Sequence, residues 1–492
     1  MTFVIGIDVG SQSIKGVLLD PAGELRGTAS HGLVMNHPFG GWAEQDPRDW
    51  EEGISQVVTK LLQEANVDGG EVGALCLACQ VDGVVPLSWE GEAMGPAIIW
   101  LDRRADIQAS QLASGIGRER LFELTGLVAD ASHSGPKIMW LRDHDPKTFA
   151  DSMAFPPAAG YLLYRFTNEL VIDHANASSS LLYDLKSRQW SGELLEEAGI
   201  NNSQLGRIGE ASDVVGTLTA RAALVLGLTT SCQVLVGTGD EHAGSVGSGA
   251  ISNGIITDVT GTAEPVTVST DTFVLDYEGL VETHAHAIAG FYLVENPGFV
   301  SGGSTLWLSQ CVLNISQAAF FDLAAGAPAG SDGVLFLPAL SGAMTPRWNA
   351  RMRGAFAGLS MSHPSNAMAR AVLEGCAFAL RDVVDRFAQL GLGDDEIRVV
   401  GGGAASELWM QIKADVTGRP VHRVLVKEAT ATGAALLAGV AKGTFDDLSD
   451  AVTRTILLAD QPYHPDPTRM ALYDDAYGRY RALFDGVEGA LT

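Results

Sequence analysis

The sequence predicts an α/β protein whose 492 residues form two related domains facing each other across a cleft. Three observations predict it. Strand-like and helical runs alternate along the chain, the pattern of α/β folds. The length exceeds what one ordinary core fills, and the size prior favours two large domains. A β-run entering a turn of glycine and hydroxyl residues occurs twice, at Gly10-Ser11 and at Gly261-Thr262, the sign of an internal duplication.

The opening segment FVIGIDVGSQSIKGVLLDPAGELRGTA reads as three strands joined by a small-residue turn and a Pro-Ala-Gly turn. Helical periodicity follows in DPRDWEEGISQVVTKLLQEA. Two further strands, ALCLACQ and GVVPLSW, are joined through the polar step Val81-Asp82. Residues 101–230 are more helical and irregular, punctuated by Pro136, Pro146, Pro156 and Pro157, an elaboration on the first sheet. The second copy begins after a Gly/Ser/Asn stretch that suits a hinge, so the domains are 1–250 and 251–492, with the boundary near Gly249 to Gly254. When the two turns are superposed, Asp8 falls opposite Val259, and Asp258 points to the other face of its strand, so only the first copy carries an inward acid. SNAMARAVLEGCAFALRDVVDRFAQLG is a long amphipathic helix. EIRVVGGGAASELWMQIKADVTG is a strand that breaks into three glycines and leads into a helix, an arrangement that lets a ligand approach the backbone and the helix N-terminus. A last helix, TATGAALLAGVAKG, is expected to close the second sheet.

The composition, 46% hydrophobic and 18% charged, is that of a compact soluble protein. A formal charge of −27 repels polyanions, which makes nucleic acid and anionic membrane poor partners. It does not forbid a phosphate ligand, which needs only a local cluster of amides, a metal ion and one lysine. The N-terminus carries no signal-peptide pattern, and no apolar stretch approaches the roughly 20 residues of a membrane span. A cytoplasmic location is expected. Five cysteines, an odd number in apolar surroundings, suit reduced thiols; Cys76 and Cys79 form a C-x-x-C with no second pair and are read as core.

Asp8 ends a buried strand just before Gly10, Ser11, Ser13 and Lys15. Phosphoryl transfer requires a carboxylate for hydrated Mg²⁺ together with close-approaching amides and hydroxyls for phosphate oxygens. The bland alternative is an ordinary hairpin turn. Asp240, in VLVGTGDEHAGSVGSG, follows an apolar strand among small residues and suits a general base; the alternative is a helix N-cap. Glu282, His284 and His286 share a strand face, but backbone-satisfied imidazoles explain them better than a metal site, and none is assigned. Trp42, ahead of Glu44-Gln45-Asp46-Pro47, offers a stacking surface to a sugar or serves as a loop tryptophan.

In this order, GIDVGSQSIKGVLLD, WAEQDP, QVDG, IIWLDRR, GTGDEHAG, GTAE, TPRWNARMRGAFAGL, ARAVLEG and GGGAASELWMQ resemble the FGGY carbohydrate kinases, in the branch of the xylulokinases. The resemblance spans nearly the whole chain. It implies two ribonuclease-H-like domains of the actin and hexokinase superfamily with the active site between them, and ATP and Mg²⁺ as cofactors. It implies that Asp8 positions Mg²⁺ and that Gly10, Ser11, Ser13 and Lys15 form one phosphate loop, Gly261 and Thr262 the other. Gly401, Gly402, Gly403 and Ala404 match the adenosine motif, with Ser406 and Trp409 close behind. Asp240 matches the catalytic base, and Trp42, Gln80, Val81, Asp82, Asp102 and Glu241 match sugar-lining positions.

The chain also departs from that pattern. Val81-Asp82 stands where the xylulokinases have Met-His, Glu241 where they have Asn, and LSGAMTPRW lacks their Gly-Glu-Arg. Added carboxylates accept hydrogen bonds from hydroxyls and open the site to polyols. The implied partners are a pentulose such as xylulose, or a four- or five-carbon polyol, together with ATP; the chain acts alone or as a homodimer. Outside the enzyme class, a non-catalytic ATP-binding regulator or a chaperone on the same scaffold is the rival.

Overall fold

The computed structural model describes residues 2–393 and 396–491. Two mixed sheets dominate it, built from β1 (Phe3–Val9), β2 (Ser13–Leu19), β3 (Leu25–Gly32), β4 (Val72–Cys79), β5 (Val214–Thr217), β6 (Gln233–Leu235) and β7 (Thr238–Gly239), then β8 (Ile255–Val259), β9 (Ala263–Thr270), β10 (Glu282–Ala285), β11 (Tyr292–Val300), β12 (Glu396–Val400) and β13 (Val421–Arg423). The first sheet runs β5-β6-β4-β1-β2-β3, with β7 also beside β4; the second runs β10-β11-β9-β8-β12-β13. In each, the first strand pairs antiparallel with the next and parallel with a later one: β1 with β2 and β4, β8 with β9 and β12. The duplicated turn is thus a duplicated topology.

Helix α1 (Pro47–Ala65) starts with Asp46 accepting from the Arg48 amide and ends at Asn66 in the left-handed region. Its Trp50, Ile54, Val57, Val58 and Leu61 bury one face of the first sheet. All eight residues of β4 are buried, because that strand is covered on both faces. The second cover comes from far along the chain. Helix α2 (Asp240–Gly247) and, after α3 (Ser365–Gln389) and α4 (Glu407–Thr417), helix α5 (Ala429–Ala441) complete the core. Ala431, Ala434, Ala435 and Ala438 of α5 pack with Val4, Val17, Ala74, Cys76 and Ala78.

The helix read as the last, α5, was expected on the second sheet and is found on the first, and it is followed by two more helices, Leu448–Thr455 and Pro467–Leu491. Its small residues explain the docking: Gly433 lies against the Ala243 carbonyl and Gly247 against that of Ala429, so α2 and α5 cross backbone to backbone where any side chain would collide. Apolar periodicity marks a buried helix without naming its partner. GVVPLSW likewise forms no strand, only bridges from Val84 to Ile98 and from Leu87 to Ala93 and Ala154. Cys76 and Cys79 are buried within β4, where burial, ahead of the nearby carboxylates, pushes both thiols up. Among the described residues no helix is long and apolar enough to cross a membrane.

Candidate active site

Asp8 and Asp240 stand at one end of the first sheet, on opposite sides of β4. Asp8 is level with Ala78, and Gly239, the last residue of β7, is level with Cys79. Two strand spacings separate the backbones by about 10 Å. Both acids are half-buried. Burial is the main reason each carboxyl is pushed up to about 8; Asp240 adds to the rise at Asp8 while Lys15 opposes it, and Glu241 and Asp82 act on Asp240. The capping alternative for Asp240 is corrected. Gly239 occupies the extended cap position, and Asp240 is the first helical residue, its Oδ1 accepting from the Glu241 amide at 3.1 Å.

The first turn closes through Gly10 N–H donating to the Ser13 carbonyl at 3.1 Å, with Ser11 and Ser13 half-buried. Lys15 lies across the ladder from Asp8, and its ammonium is 3.0 Å from Glu428, just before α5. The second turn, at Gly261 and the exposed Thr262, rests on a fully buried Lys413. That ammonium reaches Asp258 at 2.5 Å, the Thr260 hydroxyl at 2.6 Å and Glu264 at 3.0 Å. Burial alone would lower Lys413, but Asp258 and Glu264 outweigh it and hold it above the ordinary lysine range. Asp258 therefore points away from the cleft, as the period of two requires.

Thr260 also shapes the glycine run. Its carbonyl accepts from the Gly403 amide at 3.2 Å, and a Cβ on Gly401 or Gly403 would strike Thr260, while Gly402 faces open space. Two residues at the end of this motif face the protein interior. Ala404 is buried and its amide donates to the Gly401 carbonyl, so it closes the turn; Trp409 is buried against Lys413. Ser406 caps α4 by accepting from the Trp409 amide.

Among the residues expected to line a sugar, the Trp42 ring is covered on one face by the Arg104 guanidinium, 3.5 Å from its centroid. Asp102 is corrected from a sugar-lining residue to a positioning one. It is fully buried, and its oxygens accept from the Ala43 amide at 2.6 Å and from Arg104 at 2.7 and 2.9 Å. Gln80 donates to Gln45 at 2.8 Å, and Gln45 donates to the Ser11 carbonyl at 2.8 Å, which couples Gln80 to the first turn. Val81 sits against Gly239, and Asp82 has a left-handed backbone with φ 63°. Glu241 lies beside Glu295, and burial, reinforced by that neighbour, pushes Glu241 well up. His284 is 3.1 Å from Glu295, His286 bonds Ser269, and among the described residues no group of three or more His, Cys, Asp or Glu is arranged to hold a metal ion.

Motif reading missed His133, Lys137, Glu295, Lys413 and Glu428. None stands in a local pattern of its own, and each acts on a residue distant in sequence.

Family models of the FGGY carbohydrate kinases match residues 3–247 (N-terminal domain) and 258–442 (C-terminal domain). The chain is 29% identical to a xylulose kinase of Lactococcus lactis, over 98% of this chain and 97% of that protein. It is 31% identical to a glycerol kinase of Thermococcus kodakarensis, over 96% and 95%. The crystal structure of a ligand-bound xylulose kinase from Lactobacillus acidophilus superposes with a TM-score of 0.92 at 26% identity, covering 99% of each chain.

Proposed function

Because the chain belongs to the FGGY family of carbohydrate kinases, enzymes that phosphorylate a hydroxyl group, we propose that it transfers the γ-phosphoryl group of ATP to a pentulose such as xylulose with Asp240 as the base. The observation that carries this reading is the pairing of Asp8 and Asp240 at one sheet end, beside the first glycine-hydroxyl turn. The acceptor hydroxyl becomes acidic only as its oxygen bonds to phosphorus, and Asp240 takes that proton. Its raised carboxyl suits a group that must hold a proton after transfer.

The residues fit Mg²⁺. Asp8 and Asp240 place two acids close together, and Lys15, the cation opposite Asp8, is engaged by Glu428. Mg²⁺ keeps several waters and binds through one or two carboxylates plus substrate phosphates, so Asp8 would hold it and it would neutralise polyphosphate charge. The amides of the first turn and of Gly261 and Thr262 orient the phosphates, and Gly402 leaves room for adenosine. Five unpaired thiols, four of them buried and Cys311 exposed, suit a reducing cytoplasm.

A four- or five-carbon polyol is the second reading, favoured by Asp82 and Glu241 at the acceptor wall. A coupled ADP-release assay with MgATP over ketoses, aldoses and polyols tests both. Turnover of a pentulose or polyol that is lost in Asp240→Asn is expected; no ADP release with any of them would overturn the reading.

A further inference from the structure

Three ionisable side chains are buried together beneath the second glycine-hydroxyl turn. Lys413, Asp258 and Glu264 have no exposed side-chain surface, and the Lys413 ammonium directs its three N–H donors at Asp258, Glu264 and the Thr260 hydroxyl. That hydroxyl in turn donates to the other Asp258 oxygen at 3.0 Å, and the other Glu264 oxygen accepts from the Ser301 hydroxyl. Asp258 lies on β8 and Glu264 on β9, so one side chain of α4 grips both legs of the hairpin and the turn between them.

Backbone bonds complete the clasp. The Gly261 carbonyl accepts from the Gly302 amide at 3.0 Å, and the Thr262 carbonyl from the amides of Gly303 at 3.0 Å and Ser301 at 3.2 Å. The Thr260 amide donates to the Val400 carbonyl at 2.9 Å, just ahead of the glycine run. The rear of the turn is thus filled with protein contacts, while Thr262 and Ala263 are exposed at its front. Because α4 begins directly behind the glycine run, Lys413 links the segment proposed for adenosine to the turn proposed for phosphate.

Stability alone does not account for this arrangement. Desolvating such a set offsets most of its attraction, and apolar side chains of similar volume would fill the space as well. Apolar contacts do not fix the rotamer of Thr260 or the register of the two legs, which takes directional bonds. Lys413 does not serve as a phosphate ligand itself, since it is fully buried and its three donors are taken.

We propose that Lys413 is a positioning residue for ATP: through Thr260 it fixes the second turn in the shape that receives phosphate, and it ties that turn to the glycine run, so that both halves of the nucleotide meet one preformed surface. The inference rests on the kinase reading and adds to it a residue that touches neither substrate.

The test uses the full chain and breaks the link from both ends. Thr260→Val removes the hydroxyl and keeps the shape and the ion pairs; the triple variant Lys413→Met, Asp258→Asn, Glu264→Gln removes the charges. In each, the KM for MgATP is expected to rise at least ~10-fold, the size of a lost hydrogen bond to a charged group, with the KM of the best acceptor from the ADP-release assay nearly unchanged. Thr260→Ser, which keeps the hydroxyl, should recover most of the loss. Calorimetric titration with the β,γ-imido analogue of ATP and Mg²⁺ should give the same order of affinities without turnover. Thermal melting identifies a variant that has lost its fold, and the other then decides. A network that is only structural lowers the melting temperature and leaves ATP affinity as in wild type; that result, or an equal rise in both KM values, would overturn the inference and leave the kinase reading intact. A wild type that binds the analogue and phosphorylates no acceptor overturns the kinase reading alone, and the titrations still decide the role of Lys413. No binding of the analogue by wild type would overturn both.

Discussion

Lys15 and Glu428 meet at 3.0 Å, so the lysine that follows the first glycine-hydroxyl turn is held by a carboxylate that precedes α5, more than four hundred residues later. That carboxylate occupies the lysine as an anionic ligand would. The pair is partly solvated, and such bridges contribute about 0–1 kcal/mol. Glu428→Gln is therefore expected to free Lys15 and lower the KM for ATP, by no more than ~5-fold, while Lys15→Ala raises it. Steady-state kinetics at fixed acceptor checks both. A Glu428→Gln enzyme with weakened ATP binding would show that Glu428 positions Lys15 instead of competing for it.

On the proposed assignment of Asp8 to Mg²⁺, Asp8→Ala should remove most turnover, since the polyphosphate would lose the carboxylate that organises the metal. The check is a titration of kcat with Mg²⁺. An activity that returns to the wild-type level at saturating Mg²⁺ would contradict the assignment.

Lys413→Met should destabilise the protein by ~3–5 kcal/mol, because Asp258 and Glu264 would be left buried without their cation. Neutralising them as well, with Asp258→Asn and Glu264→Gln, should restore part of that loss. Urea denaturation of the single and triple variants measures it. Equal stabilities would show that the network contributes little.

Features carried by adjacent residues were readable before the structure. The two glycine-hydroxyl turns and the opposite facings of Asp8 and Asp258 follow from composition and a period of two. The order of motifs along the chain carries the family. What was not readable is pairing between distant side chains: Lys413 beneath Thr260, His133 against Asp82, Glu295 beside Glu241. A buried charge leaves no periodic trace, because only its partner's position makes it tolerable. Asp102 was misplaced for the same reason: its motif is local, but its oxygens are filled by Ala43 and Arg104. The docking of α5 on the first sheet depends on Gly6 of β1, where a side chain would strike the backbone of Ala431 and Ala435, a contact between two segments far apart in the chain.

Asp240→Asn separates catalysis from architecture. The substitution keeps size and can keep the contact with the Glu241 amide while removing the basic oxygen. Loss of general-base catalysis costs ~10²–10⁴-fold in rate, so kcat should fall by that order with ATP affinity nearly unchanged. The pH dependence of stability gives an independent reading. Asp240 titrates near 3.8 when unfolded and at about 8 when folded, so across that window the native state holds a proton that the unfolded state has released. Stability contributed by that group is present at low pH and is lost as pH rises toward 8. Asn carries no such proton. The melting temperature of Asp240→Asn should therefore gain on wild type progressively between pH 5 and pH 8 (a range set by the ordinary and raised carboxyl values). In wild type, kcat/KM should climb over the same range as the base ionises, and Glu241→Gln, which removes a neighbouring charge that lifts Asp240, should move that limb to lower pH. Calorimetry across pH and a pH–rate profile check these. A variant that stays active, or whose melting temperature tracks wild type at every pH, would remove Asp240 from the role of base.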